Sequence, residues 1–269
     1  MTAASAPVTT SLGADVRLAA WQVRYQQRGF WRNKRAAFFA LVFPVMFLLI
    51  FGGLNSGNTL DVRDHLSFID FYTPGIMAYA VLLICFNTTA MIFASLRTSG
   101  ILKRVRTTPM PWTAYAAGAV GSTLVVLVLS ILLLFGVGVP LFGAHVPGEK
   151  MIGLLATLAL GATAFTTLGI AASRLIGKPE NGGGLLSVVV LPMVFISNIW
   201  YPMDGAPAWI QDVSKALPLR PLADGLQAAF DPRFGGTGIL WRDLLPLAIW
   251  TVVGCALMSR TMLTLARRD

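Results

Sequence analysis

Few residues in this chain are of a type that does chemistry. The two histidines, His65 and His145, lie far apart, and no HExxH joins them into a metal site. Asp61, Asp64 and Asp70 are close enough in sequence to be paired carboxylates for acid–base work, or simply a charged loop. Cys85 and Cys255 sit inside apolar runs and read as small buried hydrophobes. No CxxC suggests redox or zinc chemistry. Gly177-Lys178 is followed by Pro179, and no glycine precedes it at the spacing of a phosphate-cradling loop. The chain therefore lacks the means to hydrolyse ATP alone. No GxSxG supplies a nucleophile.

Two other patterns carry information. Uncharged polar residues interrupt long apolar runs: Asn87, Thr88 and Thr89 in one, Ser197 and Asn198 in another. They either line a polar path, with Asn87, Thr88 and Asn198 as the candidates, or bond between helices. The second pattern is the segment Gly100, Ile101, Leu102, Lys103, Arg104, Val105, Arg106, Thr107, Thr108, Pro109. Its aliphatic residues share one helical face, and basic residues surround them. A helix this short is marginal alone and needs something to dock on.

The elements that position these residues follow from composition. Of 269 residues, 55% are hydrophobic and 12% charged, against about 25% charged in a typical soluble domain. That excludes a soluble enzyme, a disordered chain and a disulfide scaffold. Six segments are long enough for a hydrocarbon layer of about 30 Å, which needs about 20 residues: Ala36–Leu54, Pro74–Leu96, Ala114–Phe142, Met151–Ala172, Gly183–Met203 and Leu244–Leu265. No period-2 alternation suggests a barrel, so each is expected to be α-helical. The fold class is thus all-α integral membrane. Ala114, Gly118 and Ser122, spaced by four, form a small-residue face for close helix approach. The first 35 residues do not read as a signal peptide, because the apolar run starts late behind six basic residues.

Charge assigns the sides. The arm before span one, the loops after spans two and four, and the C-terminal end hold fifteen of the 21 Lys and Arg but three of the 12 acids. That side is expected to be cytoplasmic, with both termini on it. Two further stretches are apolar but cannot span. Between Ala14 and Arg35, Arg17, Arg24, Arg28 and Arg32 fall within about 80° on a helical wheel, with Trp21, Tyr25 and Trp31 beside them. This predicts an amphipathic helix on the anionic inner leaflet, apolar face down. Its apolar side comprises Leu12, Val16, Ala19, Val23 and Phe30. After Pro202, the residues Trp209, Ile210, Val213, Ala216 and Leu217 make one apolar face, ended by Pro218; Leu222, Leu226, Ala229 and Phe230 make a second. Two helices of about ten residues are predicted, forming a hairpin that re-enters the outer leaflet between spans five and six.

The sequence resembles the type-2 permeases of ATP-binding-cassette exporters, the group that includes daunorubicin-resistance-type drug efflux permeases. The resemblance rests on Gly100 to Pro109, on the run Trp200-Tyr-Pro-Met-Asp-Gly-Ala-Pro-Ala-Trp209, and on Ala216-Leu-Pro-Leu-Arg-Pro-Leu-Ala-Asp-Gly-Leu-Gln227. Family members often carry an acidic residue just before the glycine; this chain has Arg97, Thr98 and Ser99 there. The resemblance implies a cytoplasmic arm and interfacial helix over 1–35 and a six-span transmembrane domain over 36–269. Gly100–Pro109 would be the coupling helix to two copies of a separate ATPase, which binds the ATP and Mg; this chain would bind no cofactor. A second permease chain, identical or similar, would complete the pathway in the bacterial plasma membrane, with membrane lipid around it and no nucleic acid involved. An amphiphilic substrate (a drug, antibiotic or lipid-like molecule) is implied, with polysaccharide or glycolipid export as the alternative. From another class, an ATPase-independent channel or secondary carrier stays open, although no Asp, Glu or His stands at mid-span.

Overall fold

In the computed structural model, the described residues are 12–55, 59–60, 66–98, 112–233 and 235–267. The chain is nearly all helical. Helix α1, Leu12–Arg32, ends at Asn33, whose Oδ1 accepts the Ala36 N–H at 3.2 Å and so caps the next helix. Helix α2, Lys34–Leu54, is the first of five helices long and apolar enough to cross a membrane. A π-helical turn, Phe38–Val42, precedes Pro44. Pro44 has no N–H for the carbonyl four residues back. That carbonyl, on Ala40, accepts instead from the hydroxyl of Ser130 at 3.2 Å, which keeps a buried backbone group paired.

A short antiparallel pair, β1 (Thr59–Leu60) and β2 (Leu66–Ser67), leads into α3, Phe68–Thr98. Then come α4, Trp112–Phe142, and α5, Met151–Ala172, the latter extended by one 3₁₀ turn to Leu175. Helix α3 forms the centre. Almost every residue from Phe68 to Phe86 is buried against α2, α4 and α5. A helix apolar on all sides is expected where protein covers all sides. The last span, α9, is Trp241–Arg267, and its outward face of Leu245, Ile249, Val252 and Val253 is exposed, as a lipid-facing stripe would be.

The fifth expected span is shorter than the hydropathy pattern predicts. Helix α6 runs Pro179–Phe195 rather than Gly183–Met203, which at 1.5 Å per residue is about 26 Å. The apolar run continues through Ile196, Ile199 and Trp200, but as turns. Asn198 takes a left-handed backbone, φ 60°, a conformation that Asn tolerates and helices do not. Periodicity could not reveal this, because the turn residues are themselves buried.

The two short helices expected between spans five and six are present as α7, Ala208–Ala216, and α8, Leu219–Phe230. Their environments differ. Helix α7 leaves Trp209 and Val213 exposed. Helix α8 is buried along nearly its whole length, packed on α3, α5 and α9. It is part of the protein core.

Candidate functional site

Two regions collect the polar side chains: a cavity near the α1 end of the bundle, and a hydrogen-bonded cap at the opposite end.

The cavity, about 540 Å³, lies between α1, the start of α2, the second half of α3, and α4. The sequence positions it through three local devices. The first is a π-helical stretch in α3, Leu82–Thr88. The extra residue per turn shifts the helical register. It leaves Asn87 and Thr88 half-buried between buried Phe86 and Thr89, and both line the cavity. The Thr88 hydroxyl donates to Leu83 O, five residues back, at 3.1 Å. The second device is Gly169 of α5. A Cβ there would lie 2.6 Å from Phe86 O, so only glycine lets α5 meet the widened turn of α3.

The third device is the seat of α1. Of the small-residue face expected on span three, Gly118 and Ser122 meet α1. A Cβ on Gly118 would come within 2.4 Å of Gln22 Cγ. Gln27 Nε2 donates to Ser122 O at 2.8 Å and approaches Ser122 Oγ at 3.1 Å. Gln22 is 4% exposed. Val23 approaches Gly121 and Phe30 packs on the core, so these residues of the apolar side meet protein. The expectation of an apolar face laid on lipid is thus revised: α1 docks on α4. Arg17, Arg24, Arg28 and Arg32 point outward with Trp21, Tyr25 and Trp31. On a wheel Gln26 and Gln27 flank the apolar side rather than the arginines, which was the available signal that they face protein.

At the other end, Asn198 is fully buried. Its Nδ2 donates to Asp224 Oδ1 at 2.5 Å, and its Oδ1 accepts the Met203 N–H at 2.9 Å. Gln227 Nε2 returns a bond to Asn198 O at 2.9 Å. Arg220 reaches Asp224 and the Gln211 carbonyl. The Ser214 hydroxyl donates to Ile196 O. This network ties α7 and α8 to the end of α6. Asn198 thereby occupies a structural position, bonded at both ends of its amide. Trp200 anchors the same turn among Phe47, Phe51, Tyr72 and Tyr79, ring centroids 4.9–6.0 Å away. Pro202, Ile210 and Leu217 are half-buried here and Pro218 is buried.

Beyond α8, Asp231 is bound bidentately by Arg233 at 2.7 and 2.8 Å. Burial disfavours its charge, but the hydrogen bonds from Arg233, with the charges of Arg233 and Lys150, outweigh that and hold the carboxyl below its ordinary value. Asp70, expected to be loop surface, is buried. Its carboxylate accepts the His145 N–H at 2.8 Å and lies 3.0 Å from His145 Nδ1. The segment Gly100 to Pro109, with Ile101, Leu102, Lys103, Arg104, Val105 and Arg106, lies outside the described residues. Among the described residues no group of His, Cys, Asp and Glu is arranged to hold a metal.

Membrane-crossing helices packed around a central helix, with a polar cavity near one end and a hydrogen-bonded cap at the other, define a multi-pass membrane protein. Residues 19–230 match the ABC-2 type transporter family, and the chain belongs to it. This family is one of transmembrane permease subunits. The chain is 27% identical over 66% of its length to the daunorubicin resistance ABC transporter permease protein of Streptomyces coeruleorubidus, of whose length the match spans 62%. It is 26% identical over 82% of its length to the transport permease YvfS of Bacillus subtilis, covering 87% of that protein. It is 34% identical over 45% of its length to heme exporter protein B of Paracoccus denitrificans, covering 54% of that protein.

Proposed function

We propose that the chain is the permease subunit of an ABC exporter, moving an amphiphilic substrate out of a bacterial cell with ATP hydrolysed by a separate subunit. The observation that carries this reading is the family match over 19–230 on a chain with five described helices long and apolar enough to cross a membrane. The relative named for daunorubicin resistance and the one named for heme export support export as the direction. Two ATPase copies and a second permease chain complete the assembly in this reading. ATP and Mg belong to the partner.

The basic end is the cytoplasmic one. Gly100–Pro109 joins α3 to α4 there and serves as the coupling segment. Leu102 and Val105 supply its apolar centre, and Lys103, Arg104 and Arg106 meet acidic groups on the ATPase. Closure of the ATPase dimer pushes on this segment and so on α3 and α4, two of the helices that wall the cavity. The exposed arginines of α1, flanked by aromatic rings, lie against inner-leaflet headgroups. The outward face of α7 meets lipid or the second permease.

The test is co-purification with a candidate ATP-binding-cassette ATPase, sought first in the adjacent reading frames, followed by ATP hydrolysis across candidate amphiphiles. The expected result is a stable complex whose hydrolysis rate rises with substrate. Transport that proceeds without the ATPase would support a channel or secondary carrier instead.

A further inference from the structure

We infer that the α1-end cavity is a receiving site for the polar part of the substrate, and that it selects an uncharged part rich in acceptor oxygens. This rests on the exporter reading and adds the chemistry of what is carried.

Depth comes first. Asn33 marks the mouth, where α1 gives way to α2. Ser95 lies near the Thr98 end of α3, and Asn87 lies eleven residues from that end, about 16 Å along a helix of about 46 Å. The cavity thus leads from the membrane surface toward mid-membrane. A volume of about 540 Å³ suits a drug-sized group, for which pockets run from about 300 to 1,000 Å³.

Its lining sets the chemistry. Among the described residues, no side chain lining the cavity carries a charge. The arginines of α1 point outward. The amides have donors to spare. Gln26 Nε2 has no hydrogen-bond partner and is covered by protein in this structure, so a turn of its side chain brings it to the cavity. Asn87 makes no hydrogen bond among the described residues, and Asn33 uses only its oxygen. Thr88 and Thr123 spend their hydroxyl protons on Leu83 O and Ala119 O, keeping lone pairs free. A buried donor without a partner is costly, so a ligand that offers carbonyl, ether or hydroxyl oxygens gains by entering. An ammonium or phosphate would lose its hydration and find no counter-charge. Apolar neighbours Ile84, Met91 and Val126 accommodate the adjoining hydrocarbon.

The experiment uses the full chain in phosphatidylcholine nanodiscs and three probes with one tail: dodecyl β-D-glucoside, dodecyl phosphate and dodecylamine. Retention of each is measured by native mass spectrometry. The glucoside should be retained at least tenfold over both charged probes. Asn87→Leu should lower glucoside retention about tenfold, and Asn87→Gln should restore part of it. Gln26→Leu, on the opposite wall, gives the same test if Asn87→Leu does not fold. Preference for dodecyl phosphate or dodecylamine, or glucoside retention unchanged in both leucine variants, would overturn the inference. Capture of the ATPase by the same variants is measured in parallel: intact capture with unchanged retention sinks the cavity alone, whereas loss of capture by the wild type sinks the exporter reading.

Discussion

Single residues at the cap carry the most concentrated interactions. Asn198 combines a left-handed backbone with bonds to Asp224, Gln227 and Met203. Asn198→Val removes those bonds and places a β-branched residue at positive φ, so a loss of about 2–4 kcal/mol is expected. Asn198→Gly should lose less, because it keeps the backbone. A thiol-reactive dye reads this directly. Cys85 is buried and Cys255 exposed, so in a Cys255→Ser background dye uptake on heating reports unfolding around Cys85. Asp231 gives a pH-dependent counterpart. Its folded pKa lies below the unfolded 3.8, so its stabilisation is present above that value and is lost as pH falls through the folded pKa. Asp231→Asn should therefore lower the unfolding temperature at pH 7, and the gap to wild type should narrow once pH falls below 3.8 and close below the folded pKa. A gap that persists at lower pH would mean that the carboxylate charge is not responsible. Neither residue's role was legible. Asn198 read as one more polar group in an apolar run, since nothing in spacing distinguishes a pathway amide from one that closes a turn.

At the scale of elements, hydropathy located the helices well, because lipid forces every crossing backbone to pair internally. The span expected at Met151–Ala172 matches α5 residue for residue. Partners were less visible. The apolar stripe of α1 was legible, but whether lipid or protein covers it was not. Likewise α8 looked like its neighbour α7, and only packing separates a buried helix from an exposed one. The seat of α1 predicts a discrete outcome. Gln27→Cys with Ser122→Cys should crosslink readily with a short bifunctional reagent, since these side chains touch. Adding Gly118→Leu should abolish most of that crosslinking, because even a Cβ there collides with Gln22. Undiminished crosslinking would show that α1 tolerates a bulky neighbour and is not seated on that glycine.

For the whole molecule, the family match gives a transport permease, and the proposed orientation puts its basic end on the side of the proposed ATPase. Cysteines substituted at Arg104 and Lys178 should label only from the inside, and one at Trp209 only from the outside; outside labelling of position 104 would invert the topology. The central claim, that Gly100–Pro109 couples this chain to a separate ATPase, is tested most directly by capture of that ATPase on matched variants. Leu102 sits at the apolar centre of the proposed contact, where truncations often cost about 2 kcal/mol or more. Lys103 sits at its rim, where charge mostly governs association rate and salt dependence. Leu102→Ala should weaken capture roughly 30-fold, which corresponds to about 2 kcal/mol, and Leu102→Asp should abolish it. Lys103→Ala should lose little, and less still at high salt. Trp209→Asp, at the far end of the bundle, should retain full capture. Full capture of the ATPase by Leu102→Asp would contradict the account.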